Sequence, residues 1–125
     1  IGINDLYNNS IQEPSVNYIA NNIIEIAKKI KTKSNDSKVF IQTLLPISIK
    51  KSTKDYELYN HSIGTINEII VENQQKKLYS IIDLYALFVN SEGQLREDLT
   101  YDGLHLNEEG YKVWSNFIKP IIDSL

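Results

Sequence analysis

Two short apolar runs constrain the fold of this 125-residue chain more than any other feature. They cover residues 39–45 and 79–84, and Pro46 stops the first of them. Nearly continuous apolar runs of this length are typical of strands in a parallel sheet, where both faces are buried. Helical patterns lie before, between and after the two runs. We therefore predict an α/β fold, a three-layer α/β/α sandwich in which the two strands are parallel and adjacent.

Two amphipathic helices are predicted around the first strand. The first helix starts at Pro14 and Ser15, with Ser15 as its N-cap, and ends within residues 33–36. The second helix covers about residues 55–77. Their apolar stripes recur at helical spacing and consist of Val16, Ile19, Ile23, Ala27 and Ile30, and of Tyr59, Ile63, Ile66 and Ile70.

A third helix closes the chain. It follows Asn107, an N-cap, and Pro120 predicts a kink or break because proline removes one backbone hydrogen bond. Gly110 is costly inside a helix, so we expect the start of this helix to pack closely against the preceding loop. The apolar face of the helix consists of Tyr111, Trp114, Ile118, Ile121 and Leu125.

The loop before this helix carries an aspartate and a histidine three positions apart, Asp102 and His105. Side chains at i and i+3 share one face of a turn, so the carboxylate can accept a hydrogen bond from one ring nitrogen. The other nitrogen is then available as a base. This is the arrangement in which an aspartate orients a histidine that takes a proton from a serine. The spacing therefore predicts two members of a catalytic triad, whose nucleophile is unknown.

Other interpretations of these residues remain open. Asp102 can cap a helix while His105 is merely solvated. A metal site built from Asp102, His105 and Asp5 is chemically conceivable, although the sequence has no clear third ligand and we predict no metal. His61, the other histidine, should face solvent because it lies opposite the apolar stripe of its helix.

The first residues suggest a second part of the site. Ile1 and Gly2 are typical of the end of a buried strand that turns into a loop. Asn4 would then lie at the carboxyl edge of the sheet, where open α/β sheets bind ligands. An asparagine amide there can donate to a developing oxyanion. Asp5 and Asp83 are assigned no catalytic role, since Asp5 most simply bonds backbone amides after Asn4.

These two segments together resemble the SGNH hydrolases, also called GDSL-type esterases. Members of that family carry a Gly-Asp-Ser block, a glycine block, a Gly-x-Asn-Asp block and an Asp-x-x-His block. Residues 2–5 match the third block and residues 102–105 match the fourth. The sequence around residues 82–85 and from Leu104 to Trp114 is similar to the branch that resembles platelet-activating-factor acetylhydrolase.

The chain departs from the family in its first two blocks, because it contains no Gly-Asp-Ser sequence. The resemblance therefore implies that residues 1–125 are the carboxyl-terminal part of a single SGNH domain, with a flavodoxin-like sheet that lacks its first strands. The nucleophilic serine would belong to an upstream segment or to a second chain.

The resemblance implies a serine esterase that hydrolyses a small ester, in the first place an acetyl ester of a carbohydrate or lipid, without a cofactor. His105 would be the base, Asp102 its orienting carboxylate and Asn4 an oxyanion donor. The competing interpretation is a truncated or degenerate SGNH domain with a binding or assembly role, because a triad without serine cannot form an acyl-enzyme.

The composition of the chain argues against some classes of partner. The net charge of −3 argues against nucleic-acid binding by simple electrostatics, and no run is long enough to span a membrane. The absence of cysteine excludes a disulfide framework and leaves the cellular compartment open. A small-molecule ester remains the predicted partner.

Overall fold

The two apolar runs form neighbouring strands of one parallel sheet in the computed structural model, which describes residues 1–8, 15–48, 56–75 and 77–125. Strand β1 covers Phe40–Gln42 and strand β2 covers Ser80–Ile82. Their register places Ile41 beside Ile81. The predicted α/β class, with parallel and adjacent strands, is confirmed.

Both strands are shorter than predicted, and the side chain of Asn67 explains where β1 ends. Its amide nitrogen donates to the Leu44 carbonyl at 2.9 Å, and its oxygen accepts from the Leu44 backbone N–H at 2.7 Å. This amide satisfies both backbone hydrogen-bonding groups of Leu44, so Leu44 needs no partner on a neighbouring strand and the strand ends before it. One last contact follows the ladder, from the Thr43 N–H to the Ile82 carbonyl.

The expectation that β1 is buried on both faces is wrong. Ile41 is buried, Phe40 is half-buried and Gln42 is exposed. Among the described residues β2 is the only strand that pairs with β1, so the other edge of β1 borders an open apolar groove of about 250 Å³ beside Ile26 and Ile30. Phe40 and Gln42 point to the face opposite Ile41, so one face of β1 is buried and the other is only partly covered.

The chain divides into two units, each with its own internal contacts. The first comprises Ile1–Leu44 and Glu57–Asp83, and the second comprises Leu45–Tyr56 and Leu84–Leu125. The first unit contains the sheet, α1 (Ile3–Asn8), α2 (Ser15–Lys33) and nearly all of α3 (Tyr56–Glu72). The second unit contains α4 (Tyr85–Phe88), a 3-10 helix (Glu97–Leu99) and α5 (Glu108–Asp123).

The helices of the first unit follow the predicted stripes. Helix α2 begins at Ser15 and ends at Lys33, as expected, although Ile30 at its far end is exposed. Helix α3 stops at Glu72, five residues before the predicted end, and the Asn73 side chain donates to the Ile69 carbonyl in its last turn. The predicted core residues of α3 are all buried, namely Tyr59, Ile63, Ile66 and Ile70.

The chain starts differently from the prediction. Ile1 is 81% exposed and pairs with no strand among the described residues, so its expected burial is wrong. Gly2 has a φ of +103°, and a Cβ at this position would lie 3.2 Å from the Leu44 side chain. The left-handed turn at Gly2 leads directly into α1, which places Asn4 in the first helical turn.

Helix α5 begins as predicted, since the Asn107 side chain accepts a hydrogen bond from the Gly110 N–H at 2.9 Å. Helix α5 is not broken at Pro120, because it continues to Asp123. Proline has no N–H to donate to the carbonyl four residues earlier, so one hydrogen bond of the helix is lost there, and a kink at this point stays a prediction. None of the helices in the described ranges is long and apolar enough to cross a membrane.

The predicted apolar face of α5 is buried at its middle and exposed at its two ends. We call Tyr111, Trp114, Ile118, Ile121 and Leu125 the α5 apolar face. Ile118 is buried, whereas Tyr111 and Leu125 are 60% and 52% exposed. An amphipathic helix normally buries such a stripe against another element.

Gly110 packs against the loop that precedes α5, as its costly position in a helix suggested. A Cβ at Gly110 would overlap the Leu99 carbonyl oxygen and lie 3.1 Å from the Leu106 Cβ. We therefore expect Gly110→Ala to lower the free energy of unfolding by roughly 1 to 3 kcal/mol, although alanine is the better helix former. Urea titration of the purified protein measures this.

Gly64 in α3 is the matched control for this prediction. A Cβ there would meet nothing within 4 Å, so Gly64→Ala should stabilise the protein by roughly 0.5 to 1 kcal/mol. Equal effects of the two substitutions would show that helix propensity, and not the contact with Leu99, decides the result at Gly110.

Candidate active site

Asp102 and His105 lie in a tight turn between the 3-10 helix and α5. An antiparallel bridge between Thr100 and Leu106 closes the base of this turn. Gly103 forms its tip with a φ of +87°, a conformation that residues with a side chain rarely adopt. We call residues 100–106 the Asp102–His105 turn. Its geometry brings the side chains of Asp102 and His105 to the same side.

The predicted contact between the two side chains is present. The Asp102 Oδ2 atom lies 2.7 Å from the His105 Nδ1 atom, within hydrogen-bond distance. The imidazole is 73% exposed, whereas the carboxylate is 37% exposed. With Nδ1 held by the carboxylate, the tautomer that donates from Nδ1 is favoured, and Nε2 is the nitrogen that can accept a proton.

The other carboxylate oxygen of Asp102 is engaged by the backbone. Its Oδ1 atom accepts from the Leu104 N–H at 3.0 Å and from the His105 N–H at 2.8 Å. The hydrogen bond from the His105 side chain and these two backbone bonds hold the pKa of Asp102 well below the usual aspartate range. Asp102 therefore stays ionised at neutral and mildly acidic pH. One oxygen of Asp102 thus pairs with the imidazole and the other bonds the backbone of the turn. The alternative that Asp102 caps a helix is wrong, because Leu104 and His105 are not helical and Asn107 is the N-cap of α5.

Ser48 is a neighbour of the Asp102–His105 turn that no pattern in the sequence suggested. Its backbone N–H donates to the Gly103 carbonyl at 2.9 Å. A Cβ at Gly103 would lie 2.6 Å from the Ser48 carbonyl oxygen and 2.8 Å from its Oγ atom. The Ser48 Oγ atom is buried and has no hydrogen-bond partner among the described residues. The turn is thus fixed from outside by a residue more than fifty positions earlier.

Thr100 is the second residue that sequence reasoning missed. Its buried hydroxyl donates to the His105 carbonyl at 2.6 Å and accepts from the Gly103 N–H at 2.9 Å. A threonine two positions before the aspartate is the only sequence signal, since threonine hydroxyls often bond nearby backbone groups.

Asn4 and the Asp102–His105 pair lie in different units of the structure. Asn4 belongs to the first unit, in α1, and is exposed. The pair belongs to the second unit. The role of Asn4 as an oxyanion donor stays a prediction.

The remaining candidate residues are also accounted for. His61 is exposed on α3, as predicted. Asp83 follows β2 and accepts a hydrogen bond from the Thr43 hydroxyl at 3.1 Å. Within the part of the chain that the structure describes, no three His, Asp or Glu side chains converge as a metal site would require.

Comparison with known proteins identifies a family. A model of the GDSL-like lipase/acylhydrolase family matches residues 1–113. Part of the chain is similar to an N-acylneuraminate cytidylyltransferase from Escherichia coli O18:K1:H7, with 32% identity over 93 residues. That match covers 74% of this chain and 20% of the relative.

Solved structures share the fold. A structure from Streptococcus pneumonia whose name refers to platelet activating factor is 23% identical, with a TM-score of 0.75 over 97% of this chain and 56% of its own. A GDSL-like lipase from Bacteroides thetaiotaomicron is 25% identical, with a TM-score of 0.72 over 87% of this chain and 53% of its own. The chain thus spans a fifth of the length of the curated relative and about half the length of these structures.

Proposed function

Because the chain belongs to the GDSL-like lipase/acylhydrolase family, we propose that it supplies the base and the orienting carboxylate of a serine esterase. The contact of 2.7 Å between His105 Nδ1 and Asp102 Oδ2 carries this proposal. It gives the imidazole one occupied nitrogen and one available nitrogen, as general base catalysis on a serine hydroxyl requires.

The proposed reaction has two acyl-transfer steps. A serine outside this chain attacks the ester carbonyl while His105 Nε2 takes the hydroxyl proton, and His105 then returns that proton to the departing alcohol. Water attacks the acyl-enzyme in the same way, giving its proton to His105 and releasing the acid. Ionised Asp102 stabilises the imidazolium in both steps, and no cofactor takes part.

The proposed mechanism requires a nucleophilic serine in the complete protein. None of the eleven serines of this chain follows a Gly-Asp sequence. We therefore place the nucleophile in an upstream segment of the same domain or in a second chain, with the 125 residues as the carboxyl-terminal part of that domain. The high exposure of the His105 imidazole supports this, because a further segment can approach it.

A fluorophosphonate probe, which reacts with activated serines, tests the proposal directly. In the complete protein it should label one serine in a Gly-Asp-Ser sequence, and it should leave the serines of residues 1–125 unlabelled. Labelling of a serine within residues 1–125, or none at all in a well-folded protein, would count against the mechanism.

The substrate is proposed to be a small ester, in the first place an acetyl ester. The name of the curated relative refers to an N-acylneuraminate, an acylated sugar acid. The name of one similar structure refers instead to platelet activating factor, so carbohydrate and lipid esters both stay candidate substrates. Comparing the turnover of acetylated sugars with that of acetylated glycerolipids separates the two classes.

Asn4 is proposed to donate its side-chain amide to the oxyanion, and Asn4→Ala tests this. We expect kcat of the complete enzyme to fall by roughly 10²- to 10³-fold, since one lost oxyanion donor typically has this effect. Asn21→Ala, which removes an exposed amide from α2, is the matched control and should leave kcat unchanged. Similar kinetics for the two variants would remove Asn4 from the site.

A binding role is the second candidate, and the α5 apolar face favours it. An exposed apolar stripe that includes Tyr111 and Leu125 is typical of an interaction surface. If the complete protein binds another polypeptide but hydrolyses no ester and reacts with no fluorophosphonate, this second candidate is correct.

A further inference from the structure

Thr100 is the first residue of the Asp102–His105 turn, and its hydroxyl bonds the backbone of the turn and not the imidazole. The residue is 5% exposed. The hydroxyl donates to the His105 carbonyl and accepts from the Gly103 N–H, so it joins the end of the turn to its tip. One hydroxyl can act as donor and acceptor at once, and both capacities are used here.

We infer that Thr100 is a positioning residue that fixes the His105 imidazole against the Asp102 carboxylate. The inference rests on the proposed function, because positioning matters only if His105 is the base. Thr100 would act through the backbone of Gly103 and His105 and would not itself contact the substrate.

The Asp102 carboxylate and the Thr100 hydroxyl bond to the same stretch of backbone, from Gly103 to His105. The carboxylate is oriented by the N–H groups of Leu104 and His105, and their direction depends on the path of the backbone from Gly103 to His105. The Thr100 hydroxyl bonds to both ends of that path, the Gly103 N–H and the His105 carbonyl. Without its hydroxyl the buried Gly103 N–H would lose its partner, at a cost of about 1 to 3 kcal/mol if it stayed buried. The turn would open to reach water instead.

A second contact of the His105 carbonyl cannot replace the hydroxyl. The Tyr101 N–H also donates to this carbonyl, at the longer distance of 3.3 Å. This bond leaves the Gly103 N–H untouched. Of the side chains in the turn, that of Thr100 is therefore the one that links Gly103 to His105.

Two substitutions separate the hydroxyl from the shape of the side chain. Thr100→Val keeps the branched shape and removes the hydroxyl, whereas Thr100→Ser keeps the hydroxyl. In the complete enzyme we expect Thr100→Val to lower kcat by roughly 10- to 100-fold with KM unchanged, since small displacements of a catalytic group have effects of this size. Thr100→Ser should retain most of the activity.

Titration of the Asp102 carboxyl gives a readout that a loss of overall stability would not move. In the native protein with ¹³C-labelled aspartate, the pKa of Asp102 should lie below the usual range. Thr100→Val should raise it towards that range, because the two backbone donors lose their alignment, and Thr100→Ser should not. Thr43→Val is the matched control: it removes a buried hydroxyl that bonds Asp83, and it should leave the titration of Asp102 unchanged.

Hydrogen exchange keeps the inference testable even if Thr100→Val fails to fold. In the unmodified protein the Gly103 amide should be protected to the same degree as the amides of Leu104 and His105. Rapid exchange at Gly103 beside protected neighbours would overturn the inference, as would a Thr100→Val enzyme with unchanged kcat and Asp102 titration. These NMR results do not depend on ester hydrolysis, so failure of the proposed function would appear separately, as activity that survives His105→Ala.

Discussion

His105→Ala should abolish ester hydrolysis by the complete enzyme, with a loss in kcat of roughly 10⁴-fold or more. The base must accept a proton from serine and return it to the leaving group. Among the described residues, the side chain that contacts the Asp102 carboxylate on its Oδ2 side is the imidazole of His105. The measurement is the turnover of a chromogenic acetyl ester, with circular dichroism to show that the variant is folded.

His61→Ala is the matched control for this loss. His61 is exposed on α3, in the first unit of the structure, whereas His105 lies in the second. We expect near-normal kcat and KM from this variant. An enzyme that tolerates the loss of His105 but not of His61 would place the site elsewhere.

Asp102→Asn should lower kcat by roughly 10⁴-fold while the turn keeps its shape. The Oδ1 position accepts two backbone N–H bonds, so the amide oxygen of asparagine must take that place. The amide nitrogen then faces His105 Nδ1 and donates to it. This forces the ring proton onto Nε2, the nitrogen that has to accept the serine proton, and the base is lost although every atom is close to its original position.

Asp98→Asn provides the comparison for Asp102→Asn. Asp98 is an exposed carboxylate in the same unit and forms an ion pair with Arg96 at 2.7 Å. Exposed pairs of this kind contribute little to stability, so activity and stability should change only slightly. Imidazole ¹⁵N NMR shifts of the Asp102→Asn protein report the tautomer. A proton still on Nδ1, together with lost activity, would show that a change of tautomer is not the cause.

The sequence predicted the class of fold and the positions of its elements because these depend on local apolar patterns. Short stretches of sequence are enough to recognise the apolar runs of β1 and β2 and the apolar stripes of α2 and α3. The strand lengths were not predictable, because Asn67 ends β1 from a position 23 residues away. The burial of β1 was overestimated for a related reason, since it depends on which distant elements pack on its two faces.

The same distinction between local and distant contacts applies to the candidate site. The contact between Asp102 and His105 could be predicted because three residues separate them and a turn brings them together. The contribution of Ser48 could not, because only the folded chain brings its N–H to Gly103. Thr100 lies close in sequence, yet the two bonds of its hydroxyl depend on the left-handed conformation of Gly103.

The hydrogen bonds within the Asp102–His105 turn all join residues at most five positions apart. Closing so short a loop costs little chain entropy, and contacts of low sequence separation form early in folding. The base and its orienting carboxylate should therefore meet before the distant parts of the chain have assembled. The hydrogen bond from the Ser48 N–H to the Gly103 carbonyl would form later and hold the turn in place. A copy of this turn moved into another protein would therefore need a new donor in place of Ser48 to keep its histidine in position.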